Sequence, residues 1–334
     1  MRFIFIVIFA FQSNAQISDF DEIDFQKADS IALAYKNEGL DNLPELSYKL
    51  TSNLTTDVER FRAIFTWVCR NIANDYGLYS KNMRKRQRYK NDSIKLKDWN
   101  SKFRKVVFQK LLDENKTLCT GYAYLLKELS VLANINCEIV HGFARTSTID
   151  IEKLDVPNHS WNAVELDDKW YLCDPTWASG IPNPVTSRFE FQYNDGFFLS
   201  NAKLFAVNHY PEDNKWLLLD DELLSFNAFL EAPIIYGKAY TNLSNHNAPK
   251  KMHNDIQKDE KVVFEFELLK PVETEDISLL IDNGKISIKI RPELITIKGQ
   301  SLIVEHAFES PGFYDVHFLI GTDLISTYTF KVKS

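Results

Sequence analysis

A chain of 334 residues that is 45% hydrophobic and 25% charged has the composition of an ordinary globular protein, with room for two domains. Its net charge of −7 argues against a nucleic-acid partner, and no run beyond the N-terminus is long and apolar enough to cross a bilayer. The four cysteines include no CxxC pair, which argues against zinc.

The chain opens MRFIFIVIFAFQSNAQ: a basic start at Arg2, an apolar run from Phe3 to Phe11, then Ser13, Asn14 and Ala15 as a small-x-small cleavage site. This reads as a signal peptide over residues 1–15, so the mature chain is expected to start near Gln16 and to be periplasmic or secreted. Export would carry Cys69, Cys119, Cys137 and Cys173 into an oxidising compartment. If Cys119 stays free, the other three can form at most a single disulfide.

Gln16 to about Thr56 reads as a helical lead-in broken between Gly39 and Pro44. In DVERFRAIFTWVCRNIANDY, the residues Phe61, Ile64, Phe65, Val68 and Ile72 trace one helical stripe, opened by Thr56 or Asp57 as N-cap. Cys69 falls beside that stripe as an inert core thiol. Residues 81–105 then carry eleven Lys or Arg against Asp92 and Asp98, about +9, leaving about −16 for the rest. Such a run is a solvated face, a flexible insertion or a site for an acidic partner. VVFQKLLDENK, from Val106, is expected as a short helix leading into TLCTGYAYLLKELSVL.

There Tyr122, Leu125, Leu126, Leu129 and Leu132 recur at helical spacing directly after Cys119. A cysteine at a helix N-terminus sits beside unpaired backbone N–H groups and the positive end of the helix dipole, which favour a thiolate and can hold an oxyanion. A strand is expected over Asn136–Arg145. A hairpin follows, from HSWNAVEL (His159–Leu166) through a turn at Asp167 and Asp168 to WYLCDPTW (Trp170–Trp177). Pro175 is expected to end that second strand. A thiol nucleophile needs a base and a group to orient it. His141 and His159 are the imidazoles available, and His159 is preferred because Asp174 ends the neighbouring strand.

Residues 187–232 are irregular and aromatic. A polar, loop-like stretch from Tyr240 to Glu260 follows, where limited proteolysis would be expected to cut. Beyond it strand patterns recur: KVVFEFELL, ISLLI, KISIKI, SLIVEHA, FYDVHFLI and LISTYTFKV. PGFYDV around Tyr314 is similar to the tyrosine corner of immunoglobulin-like sandwiches.

Cys119 in LCTGYAYLLKEL, His159 in HSWNAVELDDKWYL and Asp174 in CDPTWASG together resemble the Cys, His and Asp blocks of the transglutaminase-like superfamily. FRAIFTWVCRNIANDY and HYPEDNKWLLL add a resemblance to its kyphoscoliosis-peptidase-type branch. The resemblance covers roughly Asp57 to Leu219. It implies an α+β, papain-like core over residues 16–235, followed by an all-β immunoglobulin-like sandwich over 236–334. It also implies a Cys119–His159–Asp174 triad that attacks amide carbonyls of a protein or peptide, with transfer to water or to an amine. The Cys119 backbone N–H would be one oxyanion donor, and Tyr76 and Trp99 are the chemical candidates for a second. No calcium-site pattern stands out, so no metal or other cofactor is expected. The competing reading is a catalytically silent scaffold that keeps the fold. A serine hydrolase is excluded by the lack of a GxSxG elbow.

Overall fold

The computed structural model describes residues 16–183, 186, 188–219 and 224–334. The expected signal peptide, residues 1–15, lies outside them. The lead-in forms two helices, α1 (Gln26–Ala34) and α2 (Leu43–Thr51), separated where Gly39 to Pro44 break the pattern. Helix α3 (Asp57–Asn71) opens with Thr56 as N-cap, and Glu59 completes a reciprocal capping box. Phe61, Ile64, Phe65, Val68 and Cys69 of α3 are fully buried. Arg62, on the same helix, is buried too, and it forks onto Asp29 of α1 at 2.7 and 2.9 Å and also contacts Asp195.

After a short strand β1 (Ala73–Asn74) the basic segment forms a helical hairpin, α4 (Tyr76–Tyr89) and α5 (Ser93–Glu114). Of the readings offered for the basic run, the flexible insertion is set aside because the run is helical, and the short helix expected from Val106 is corrected to the last nine residues of the 22-residue α5. The hairpin's apolar side is narrow, since only Phe103, Val107 and Leu111 of α5 are buried, while its charges face outward. It closes on strand β2 (Lys116–Thr117), which pairs in parallel with β1.

Helix α6 (Cys119–Leu132) packs on the sheet built from β3 (Cys137–Ala144), β4 (His159–Leu166), β5 (Lys169–Cys173) and β8 (His209–Pro211), in the antiparallel order β5-β4-β3-β8. The β4–β5 turn places Asp167 and Asp168 at φ 49° and 62°, the backbone of a tight hairpin that follows the strand twist. Between β5 and β8 lie α7 (Pro175–Ser179), the ribbon β6 (Gly180–Pro182) and β7 (Phe189–Phe191), and α8 (Ala202–Asn208). α9 (Phe226–Glu231) follows β8.

The chain then enters an immunoglobulin-like sandwich. One sheet runs β10 (Leu243–Ala248), β12 (Lys261–Leu268), β16 (Ser301–Ala307), β15 (Leu294–Lys298). The other runs β11 (His253–Gln257), β18 (Asp323–Lys333), β17 (Gly312–Ile320), β13 (Ile277–Asp282), β14 (Ser287–Ile290). Strand β9 (Ile234–Ile235) joins this second sheet through β18. The alternation of Phe264, Phe266 and Leu268 points those side chains inward, where all three are buried. Tyr314 donates its hydroxyl to the Ser310 carbonyl at 3.0 Å and sits two residues before fully buried Val316, so the tyrosine corner is present. The stretch 240–260 is corrected: β10 and β11 occupy it, each paired along its length, so it is no open linker. A single apolar cluster runs from α3 and α6 through Tyr240 and Leu243 into Phe264 and Phe318, tying the two halves together. Among the described residues no helix is long and apolar enough to cross a membrane.

Candidate active site

Leu118 is the N-cap of α6 and offers no side-chain acceptor, so Cys119 begins the helix beside N–H groups that the helix itself leaves unpaired. The tight entry depends on Gly121. A Cβ there would stand 1.8 Å from Thr117 Oγ1, so the first turn of α6 can close on β2 only with glycine. Cys119 is partly exposed, unlike Cys69, Cys137 and Cys173, and all four thiols are free. Burial pushes Cys137 up to about 12 and the Cys69 and Cys173 thiols well above the usual range, which keeps them protonated and unreactive.

His159 heads β4 and Asp174 follows β5. The strand stops before Pro175 as expected, but the hairpin partner expected to run to Trp177 ends at Cys173, because the chain turns at once into α7 with Asp174 as its N-cap. Asp174 Oδ1 accepts from the backbone N–H groups of Thr176 at 2.8 Å and Trp177 at 3.1 Å. That leaves Oδ2 for His159 Nε2 at 2.6 Å. With Nε2 so occupied, Nδ1 is the His159 nitrogen available to Cys119, whose sulfur is close enough to raise the basicity of the ring. The loop-to-helix turn therefore aims the carboxylate and, through it, the imidazole.

The protonation states follow from these contacts. Burial opposes charge on His159, but the Asp174 carboxylate and the Cys119 sulfur lift it to about 10. Burial likewise opposes a Cys119 thiolate, and the His159 hydrogen bond and charge, aided by the Ser160 backbone N–H, bring it below the ordinary thiol value. Asp174 is fully buried, yet the two imidazoles on Oδ2 hold it well below the usual carboxylate range. The arrangement favours a thiolate–imidazolium pair backed by a carboxylate, a set able to attack an electrophilic carbonyl and to hand a proton to a leaving group.

Sequence reasoning missed the second imidazole. His209, the first residue of β8, places Nε2 3.1 Å from the same Oδ2. It is buried, stacked on Phe205 at 3.8 Å and set against Trp161 and Trp177. Burial lowers its pKa, and its two ring nitrogens face two acceptors, Asp174 Oδ2 at Nε2 and the Phe205 carbonyl at 3.2 Å from Nδ1. The HYPEDNKWLLL block was its only signal. The alternative imidazole, His141, is exposed and bonded instead to Ser160 Oγ at 2.9 Å. His159, Asp174 and His209 also present one ligand atom each within 4.8 Å, a set that could hold a divalent transition metal. An ion there would replace the protons now shared on Oδ2.

Neither aromatic candidate for a second oxyanion donor fits. Trp99 Nε1 is committed to Asn82 Oδ1 at 3.0 Å, and Tyr76 is exposed at the start of α4, stacked on Tyr79. Tyr79 is the hairpin tyrosine that feels the Cys119 charge, although burial is the larger cause of its rise to about 12.

Comparison with known proteins agrees with this geometry. Residues 44–175, which include Cys119, His159 and Asp174, match the model of the transglutaminase-like superfamily. The chain is similar to the human kyphoscoliosis peptidase, 33% identical over 214 residues, which is 62% of this chain and 29% of that protein. It is 33% identical to the mouse kyphoscoliosis peptidase over 53% of this chain and 24% of that protein, and 24% identical to Hillarin of Drosophila melanogaster over 60% and 23%. The chain thus spans less than a third of the length of each of these relatives. The order in which cysteine, histidine and aspartate enter one cluster, and the match across the stretch that carries them, mark residues 44–175 as a transglutaminase-like domain.

Proposed function

We propose that this chain is an exported cysteine enzyme that transfers acyl groups from amide bonds of proteins or peptides, chiefly to water. The observation that carries the reading is the 2.6 Å His159–Asp174 bond, which leaves the other ring nitrogen for a thiolate at a helix N-terminus. Cys119 Sγ would attack the amide carbon, and the oxyanion would be met by the first N–H groups of α6. His159 then gives its proton to the leaving amine as the C–N bond breaks, leaving a thioester. It next takes a proton from water, whose oxygen displaces the thiolate and releases the acid. Hydrolysis is preferred over amine transfer because water is always at hand. Export is compatible with the thiols, since the three that are buried are held protonated.

The test has two readings. Iodoacetamide should label Cys119 alone at pH 6, where a free thiol of pKa about 8.5 is under ~1% ionised. His159→Ala should move this labelling to higher pH. Incubated with exported proteins and cell-wall peptides, the enzyme should release new amines or acids, and Cys119→Ala should abolish them, a loss of at least ~10⁴-fold. A Cys119 that labels like a free thiol, indifferent to His159, would leave a silent scaffold as the better description.

A further inference from the structure

The hairpin beside the site holds a cation with nothing to bind. Lys90, which caps α4, and Lys95, Lys102 and Lys110 of α5 each hold an acidic partner, namely Asp155, Asp92, Asp98 and Asp75. For Arg86, two turns beyond Tyr79 on the same face of α4, no ion pair is found among the described residues, and its Nε is shut off from solvent with no hydrogen-bond partner. Half-burying a guanidinium without an anion is unfavourable, and burial accordingly lowers its pKa. Its surroundings are those of the active centre. Leu118, which precedes Cys119, packs in one cluster with Tyr79 and Trp99 of the hairpin. The Arg86 charge is coupled to Cys119, to Tyr79 and to exposed Glu212, and it is also felt by His141. Glu212 and His141 are held together by a backbone hydrogen bond of 2.9 Å from Glu212 N–H to the His141 carbonyl.

We propose that Arg86 is a substrate-recognition residue, which pairs with a carboxylate of the peptide and so sets a neighbouring amide over Cys119. The carboxylate comes from an acidic side chain or from a chain terminus, and a planar, always-charged fork is suited to either. This proposal rests on the cysteine-enzyme reading. It predicts preference for anionic substrates in a chain whose net charge is itself negative.

The experiment uses two alkylating reagents with the same leaving group. Cys119 thiolate displaces iodide from iodoacetate or iodoacetamide, forming an S–C bond as the C–I bond breaks, and the reagents differ in one carboxylate. The ratio of their rates reports Arg86, whereas the pH profile of the iodoacetamide rate alone reports the His159 pairing. The two ideas therefore fail separately. In the wild type the ratio should exceed that of a free thiol. In Arg86→Gln it should fall about tenfold, the loss expected for one charge-assisted hydrogen bond, and Arg86→Lys should lie between. Any change that losing the Arg86 charge makes to the thiolate itself enters both rates and divides out of the ratio, and a circular dichroism spectrum like that of the wild type certifies the fold. If Arg86→Gln does not fold, Glu212→Gln decides, because removing that carboxylate should raise the ratio. A ratio equal to that of a free thiol, or unaltered in whichever of these variants is folded, overturns the proposal. Protection against iodoacetamide by a C-terminally amidated peptide with internal Glu, compared with a free-terminus peptide lacking Glu, identifies the source of the carboxylate.

Discussion

Two imidazoles packed among aromatic rings, His159 in the helical half and His246 in the sandwich, titrate in opposite directions. His159 stacks on Trp177 at 5.3 Å and has Asp174 at 2.6 Å, and the carboxylate outweighs burial to hold it near 10. His246 lies against Phe266 and Tyr328 at 5.5 and 5.9 Å and meets only the Tyr328 hydroxyl, at 2.8 Å; burial drives it down to about 4. Aromatic packing is common to both, so the buried carboxylate makes the difference. That carboxylate is itself sustained by four donors, two from the α7 backbone and two from imidazoles. Charge survives in the interior only where the fold surrounds it with partners, and the sandwich interior, whose buried polar groups are largely hydroxyls, has no such enclosure.

The sharpest way to break the comparison is Asp174→Asn. The amide oxygen can still cap α7, but the charge is gone, so His159 should lose its elevated pKa and come to resemble His246. Thiolate labelling of Cys119 should move to alkaline pH and turnover fall by ~10³-fold, read from paired pH profiles. Retention of labelling at pH 6 would show that aromatic packing, and not the carboxylate, sets the His159 charge.

A smaller effect is expected at His246. Its folded pKa lies below the unfolded value of 6.5, so the unfolded chain binds the extra proton between about 4 and 6.5. The stability it confers is complete above about 6.5 and declines as pH falls toward 4, by up to ~3 kcal/mol. His246→Gln, which can keep a bond to Tyr328, should flatten that acid limb in urea midpoints measured across pH. The His159 contribution runs the other way: it is present below 6.5 and lost as pH rises through about 10. Hydrogen exchange should therefore show acid opening the sandwich strands before the β3–β4 ladder.

The smallest effect belongs to Tyr314→Phe. Losing the bond to the Ser310 carbonyl should lower stability by about 1 kcal/mol and leave Cys119 labelling untouched. A change in labelling would mean that the sandwich shapes the site.

How much of this was legible beforehand depended on whether the signal was local. The α3 stripe, its Thr56 cap, the α6 pattern and six of the sandwich strands announce themselves through periodicity, and all but β14 bury one face against the main core. The α4–α5 hairpin does not, since no residue of α4 is buried and α5 presents only Phe103, Val107 and Leu111. Strands β10 and β11 were hidden for a similar reason: LSNHNA buries Leu243 and Ser244 alone, and HNDIQ buries nothing. Within the site, Cys119, His159 and Asp174 each sit at the start or end of a readable element. His209 follows an irregular aromatic stretch, and only tertiary folding brings it across 35 positions to Asp174.

The parallel pairing of Ala73 with Lys116 and Asn74 with Thr117 has a consequence for the chain's adaptability. Residues 75–115 leave and re-enter the core at neighbouring points, so the hairpin is a cassette clasped at its root. The clasp fixes where the chain resumes, two residues before Cys119, whatever the intervening segment contains. Such a cassette can be exchanged for a shorter or differently charged one without moving the nucleophile, which lets the surroundings of the thiol diversify while its chemistry stays constant.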